Sequence, residues 1–261
     1  FVMDGISWRI LLEDFQTLYK QLEEKKEPEL PAKTDSYKKW IEEVSRYSNG
    51  DEILEEIAYW QQLEEYDSTS LPLDAAAESN LIKDSNVEKV RISREYTKKL
   101  LTSINTSYNL EVNDVLLTAL GLCIKEWAQM DHVLINLEGH GREQIIENLD
   151  ITRTIGWFTS LFPVLLDVST YDELSHDPSH ELSYQIKNVK ETLRRIPHKG
   201  IGYGILKYLT DKSKSGDAAF NKKPEISFNY LGQFNKNTGS GDVWFIMREH
   251  EETVNPYMER A

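Results

Sequence analysis

A single cysteine, Cys123, stands in the whole chain, which excludes an intrachain disulfide and points to a reducing compartment. It falls inside the helical apolar pattern "VLLTALGLCIKEW", where it reads as a buried structural thiol rather than a nucleophile. Apolar runs of membrane-spanning length are absent, as is a basic stretch followed by a signal core at the N-terminus. A cytoplasmic protein with no membrane partner is therefore predicted. Positive charge is also short: 30 Lys and Arg face 44 Asp and Glu, a formal net charge of -14. A phosphate backbone would be repelled, and the doublets Lys25 and Lys26, Arg194 and Arg195, and Lys222 and Lys223 are too brief to offset this. Nucleic acid is excluded as the principal partner.

Several common sites are missing as well. "GIGYG" does not follow a strand as a dinucleotide site requires, and no Gly-Lys-Ser or Gly-Lys-Thr triplet follows a glycine-rich turn. Thr159 and Ser160 have no G-x-S-x-G context. His140 has no second ligand at zinc spacing, so no metal site is expected. Internal repeats and low-complexity tracts are absent.

What is present is a soluble composition, 39% hydrophobic and 10% aromatic over 261 residues, enough for one large domain or two smaller ones. The chain opens abruptly on "FVMDG", which reads as entry midway through a strand and loop. "GISWRILLEDFQTLYKQLEE" then has apolar residues at helical spacing. Helices are predicted at "TDSYKKWIEEVSRYS", with Asp35 or Ser36 as N-cap, and at "GDEILEEIAYWQQLEEY". The polar stretch from Asp67 to Ser85 reads as a connection. Beyond it come a strand at "NVEKVRIS", a helix at "REYTKKLLTSIN" and a long buried helix at "EVNDVLLTALGLCIKEWAQ". A strand at "HVLINLEG", a loop and strand at "TIGWFTSLFPVLLDVS", and a helix from Pro178 follow. A short helix at "GIGYGILKYLT" and strands at "PEISFNYLGQF" and "DVWFIMRE" complete the pattern. The mixture predicts an α/β fold, with α+β layers.

Chemistry concentrates around "INLEGHGRE". Val133, Ile135 and Leu137 alternate with Leu134, Asn136 and Glu138, so Glu138 lies on the face away from the apolar one, beside Asn136. A carboxylate at a strand end near Trp157 and Phe158 can be partly desolvated and suited to proton transfer. It can equally be the ion-pair partner of Arg142 or Arg153. His140 can simply cap the turn. Asp4, followed by Gly5, either caps a helix or pairs with an arginine inside the fold. Asn229 and Tyr230 alternate across a strand, so one points toward a cleft while the other packs.

Five ordered segments, "DGISWRILLEDF", "EGHGRE", "RTIGWFTSLFPVLL", "KGIGYGILKYL" and "SFNYLGQF", resemble the motifs of epimerization domains of nonribosomal peptide synthetases, within the condensation-domain superfamily. The resemblance implies a chloramphenicol acetyltransferase-like two-lobed fold with a tunnel between the lobes. Residues 1-78 would be the end of the N-terminal lobe with connecting helices, 79-85 a linker, and 86-261 a C-terminal lobe truncated at its end. The family's two histidines, three variable residues and Asp-Gly would place the histidines immediately before Phe1. Glu138 matches the family's acid/base glutamate, and Asp4 its structural aspartate, with Gly5 beside it. Asn229 and Tyr230 match tunnel positions, with Asn136, Trp157 and Arg142 supporting them.

The implied reaction is L-to-D epimerization at the α-carbon of an aminoacyl or peptidyl thioester. No cofactor is expected to bind directly; the substrate would ride on the phosphopantetheine arm of an upstream peptidyl carrier domain. The other implied partners are the N-terminal lobe and further synthetase domains. Peptide-bond formation by a condensation domain, and a non-catalytic carrier-docking module, are the alternatives. Without the paired histidines the chain alone is expected to be inactive. The Ile6, Ile10 and Leu18 side of its first helix is expected to lie uncovered and to promote association.

Overall fold

A computed structural model describes residues 2-66, 70-75, 81-102, 109-170 and 178-232. The chain divides into two compact units, one formed by Phe1–Ser70 with Asn113–Phe234, the other having its described residues within Leu71–Val112. The first division, at Ser70, falls inside the stretch whose composition marks a connection. The predicted strand "DVWFIMRE" lies outside the described residues.

Helices α1 (Gly5–Glu23), α2 (Tyr37–Tyr47), α3 (Asp51–Glu55) and α4 (Ile57–Glu65) open the larger unit. The smaller unit carries a 3-10 turn at Ile82–Asp84 and α5 (Arg94–Thr102). The larger unit then resumes with α6 (Val112–Ala128), β1 (His132–Gly139), β2 (Ser160–Asp167), α7 (Pro178–Arg195), a 3-10 turn at Pro197–Gly200, α8 (Ile201–Tyr208), α9 (Lys212–Ser215) and β3 (Ile226–Phe228). Start signals in the sequence explain several boundaries. Asp4 caps α1 by accepting from the Ser7 N–H at 2.7 Å, Ser36 caps α2 by accepting from the Lys39 N–H at 3.1 Å, and Pro178 occupies the first position of α7.

The sheet has the order β2-β1-β3, with β1 antiparallel to β2 and parallel to β3. Val133, Ile135 and Leu137 of β1 pair with Leu166, Val164 and Phe162 of β2, and all of them are buried. The period of two thus puts one face of β1 into the core. Pro163, which has no N–H to give a ladder, sits on β2, an edge strand among the described residues. Helix α7 covers the sheet through Val189, while Gln185 donates to the carbonyls of Val168 and Ser169 at 3.1 and 2.6 Å. Helix α6 approaches so closely that a Cβ on Gly121 would lie 2.7 Å from Cγ1 of Val168.

Three expectations are corrected. Residues 86-93 form no strand: among the described residues no strand pairs with them, and Val87, Val90 and Ile92 are exposed. A strand without a ladder leaves its backbone groups to water and has nothing to hold it extended. Cys123 is exposed rather than buried. The inward face of α6 is Asp114, Leu117, Thr118 and Gly121, and two residues beyond Gly121 the helix has turned to its far side. On α1, Ile10 is buried and Ile6 and Leu18 are partly so; the exposed apolar stripe is instead Trp8, Leu11, Leu12, Phe15, Tyr19 and Leu22. The capping contacts at Asp4 and Ser7 rotate the Ser7 and Ile10 side inward.

Two of the three glycines of "GIGYG" answer to packing, while a Cβ on Gly204 would meet nothing within 4 Å. Gly200 has φ 85° and lies against the Phe162 ring, where an added Cβ would come within 2.3 Å. A Cβ on Gly202 would lie 2.0 Å from a carboxylate oxygen of Glu56. The helix predicted across 50-66 breaks into α3 and α4 at that same Glu56, which is buried.

Around this core the phenols of Tyr47, Tyr59 and Tyr203 are each pushed up to about 12, chiefly by burial. Carboxylates of Glu56 and Glu52 add to the effect at Tyr47, and Glu64 at Tyr203, while Arg195 opposes it at Tyr59. A folded-state value above the unfolded ~10 means that the native state holds these protons more tightly, so their contribution is complete below that pH and lost as pH rises through the folded value. Thermal midpoints measured against pH should therefore fall from about pH 10 toward about pH 12. Replacing all three tyrosines by phenylalanine should flatten that fall.

Candidate active site

Arg142 follows β1 by three residues and enters the interior, its side chain only 6% exposed. Nη2 lies 3.1 and 3.2 Å from the two carboxylate oxygens of Asp4, itself buried, and donates to the Ser7 hydroxyl at 3.0 Å. Nη1 donates to the carbonyls of Ile151 and Thr154, both at 2.8 Å, and the guanidinium stacks 4.0 Å from the centre of the Phe158 ring. Asp4 also accepts from the Ser7 and Phe158 N–H groups at 2.7 and 3.2 Å. Asp4 is thus both helix cap and ion-pair partner. Burial pushes its carboxyl pKa up, but the Ser7 hydrogen bonds and the Arg142 charge outweigh this and hold it below the ordinary aspartate value.

Two further contacts close the site's base. The Asp4 N–H donates to the Gly156 carbonyl at 3.0 Å, and the Ser7 hydroxyl donates to the same oxygen at 2.8 Å. Gly141 has φ 65°, and a Cβ there would overlap the Phe158 carbonyl oxygen at 1.6 Å. The backbone after β1 is therefore pressed against the backbone before β2, a crossing only glycine permits. His140 does cap this turn, its Nδ1 accepting from the Arg142 N–H at 3.0 Å, while Nε2 lies 3.1 Å from Glu143.

Glu138 is left with neither arginine. Arg142 is taken by Asp4, and Arg153 pairs with Glu13 and Asp14. Glu138 stands on the outward face of β1, opposite Leu161, and one of its oxygens accepts a short hydrogen bond from the Asn229 side-chain amide. It is exposed, so the expected partial desolvation is not seen. The parallel register that pairs Asn136 with Ser227 and Leu137 with Phe228 carries Asn229 to the strand end beside Glu138. Asn136 is half-buried and opposes Pro163; Tyr230 is half-buried next to exposed Asn229. Trp157 is partly exposed, and its carbonyl accepts from the Tyr37 hydroxyl at 2.8 Å. Gly5 is the first residue of α1. Among the described residues no cluster of three or more His, Cys, Asp or Glu is arranged to hold a metal ion, and no helix is long and apolar enough to cross a membrane.

A condensation-domain family model matches residues 1-253. The chain belongs to the condensation-domain family. It is 48% identical to the epimerization domain from the third module of tyrocidine synthetase B, with a TM-score of 0.80 over 89% of this chain and 50% of that one. Gramicidin S synthase 1 of Brevibacillus brevis is 50% identical over 89% of this chain and 21% of its own length. Surfactin synthase subunit 1 of Bacillus subtilis (strain 168) is 46% identical over 92% of this chain and 6% of its own length. The chain thus spans a small part of these synthetases. The first condensation domain of the CDA synthetase, 14% identical, shares the fold at a TM-score of 0.62 over 88% of this chain. The mixed helix-and-sheet architecture is therefore the chloramphenicol acetyltransferase-like one of condensation domains.

Sequence reasoning passed over Ser7, whose hydroxyl partners, Gly156 and Arg142, lie more than a hundred residues away. It also passed over Glu56, one of whose two partners, His198, lies more than a hundred residues away, the other being Trp60 one helical turn on. Because the Asp4 and Arg142 charges are buried together, Asp4→Ala should cost about 3-5 kcal/mol in denaturant unfolding. The lowered Asp4 pKa adds a pH dependence: its contribution is complete above the unfolded value of about 3.9 and is lost as pH falls through the lower folded value. An Asp4→Asn variant should lack that acid-side component when midpoints are followed down the pH scale.

Proposed function

We propose that this chain forms part of an epimerization domain, acting on the α-carbon of an aminoacyl or peptidyl thioester carried by a phosphopantetheine arm. The supporting observation is the coincidence of two facts. A strand end presents Glu138 free of both nearby arginines and oriented by Asn229, and the fold and sequence match an epimerization domain at 48% identity. The condensation reading shares the fold but, in the CDA synthetase domain, only 14% of the sequence.

The chemistry follows from the thioester. Sulfur donates less into the carbonyl than an amide nitrogen does, so the α-proton is more acidic. One group removes that proton, the electron pair passes into the carbonyl to give a planar enolate, and another group returns a proton to the opposite face. Glu138 serves one face, and a histidine of the pair expected before Phe1 serves the other. The Asn229 amide holds the carboxylate at a fixed angle. Tyr230, Asn136 and Trp157 line or support the approach, while Asp4, Gly5 and Arg142 hold the loop. The upstream carrier domain delivers the substrate in the company of the N-terminal lobe and the other synthetase domains.

In the full-length protein, Glu138→Gln keeps the side chain's shape but removes its ability to exchange a proton. Formation of the D-product from a carrier-bound L-aminoacyl thioester should fall by about 100- to 10,000-fold, with carrier affinity nearly unchanged. D-product at the wild-type rate would remove Glu138 from the mechanism.

A further inference from the structure

The turn Pro197–Gly200 places three successive residues in the left-handed region: His198 at φ 42°, Lys199 at φ 50° and Gly200 at φ 85°. Only the last is a glycine, so the first two store backbone strain that a contact elsewhere must hold. The turn packs against the end of β1. A Cβ on Gly139 would lie 3.5 Å from the Lys199 carbonyl oxygen, and a Cβ on Gly200 would strike the Phe162 ring. Gly139 is the residue next to Glu138.

Among the described residues two polar ties hold this turn. Lys199 Nζ lies 3.7 Å from Glu143, with a side chain 75% exposed, a contact of little strength. The other is of a different kind. His198 Nδ1 lies 2.7 Å from Oε1 of Glu56, whose side chain is 4% exposed. The second oxygen of Glu56 accepts from the Trp60 indole N–H at 3.0 Å, and Gly202 leaves the space the carboxylate fills. Both oxygens of Glu56 are therefore engaged, and one of them grips the strained residue directly.

We propose that Glu56 and His198 are positioning residues: through their hydrogen bond the strained Pro197–Gly200 turn is held against Gly139, and this fixes the end of β1 that carries Glu138. His198 needs two properties there, a side-chain N–H aimed at Glu56 and tolerance of the left-handed backbone. Asparagine offers both, glycine only the backbone, and alanine neither.

The test compares His198→Asn, His198→Gly and His198→Ala in the full-length protein. Hydrogen exchange of the backbone amides from Glu138 to Arg142 is the first readout. Protection should be kept in His198→Asn and reduced in His198→Gly and His198→Ala at matched thermal midpoints. The second readout rests on the epimerase reading above: kcat for D-product formation should fall about 10- to 100-fold in the Gly and Ala variants, with KM for the loaded carrier unchanged and activity rescued by Asn. Wild-type protection in His198→Gly would overturn the proposal, since backbone tolerance alone would then suffice. If the wild-type protein forms no D-product, the epimerase reading fails while hydrogen exchange still decides this one.

Discussion

The buried contact between Asp4 and Arg142 is the constraint on which the rest of the site depends. It joins three stretches far apart in the chain: the start of α1, the loop after β1 and the loop before β2. Two charges taken out of water are costly, and their mutual attraction offsets that only when the remaining donors and acceptors are satisfied. Here Asp4 accepts from two backbone N–H groups besides the guanidinium, while Arg142 donates to two backbone carbonyls and a hydroxyl, its buried Nε alone finding no partner among the described residues. The pair is therefore a clamp with a defined geometry rather than a loose source of stability.

Chemistry at Glu138 follows from that clamp by exclusion. Arg142 and Arg153 are the two arginines that the sequence offers Glu138 as ion-pair partners, and both are engaged elsewhere. Because Asp4 claims Arg142, and Glu13 and Asp14 claim Arg153, Glu138 keeps an oxygen pair tied, among the described residues, to the neutral amide of Asn229. Gly139 and Gly141 then let the chain leave the strand through spaces that side chains would block. The opening and closing of the "EGHGR" segment are thus two halves of one arrangement: the acid stays on a rigid strand and the arginine turns inward.

Much of this was legible because it is local. The alternation in β1, the caps at Asp4 and Ser36 and the proline opening α7 each follow from neighbouring residues. The site was legible in part: Asp4 offered a cap or an ion pair, and the structure uses both at once. Glu138 offered proton transfer or a salt bridge, and only the contacts of Arg142 and Arg153 with the start of the chain remove the second. The misreadings share a cause. The apolar residues of 86-93 have strand composition but no ladder partner among the described residues; Cys123 follows an apolar helix on its outward side; α1 is apolar on two faces, and a contact with Gly156 decides which turns in. In each case the deciding neighbour lies elsewhere in the chain, where periodicity carries no information.

Proton exchange at the α-carbon leaves a trace that can be read from the released amino acid. The most direct measurement supplies the full-length protein with one carrier bearing an L-aminoacyl thioester in deuterated solvent, followed by chiral and mass analysis of the released amino acid. Deuterium at the α-carbon is expected, together with a mixture of L and D forms. Retention of the L form with no deuterium uptake, and peptide-bond formation once a second loaded carrier is added, would contradict the epimerase reading.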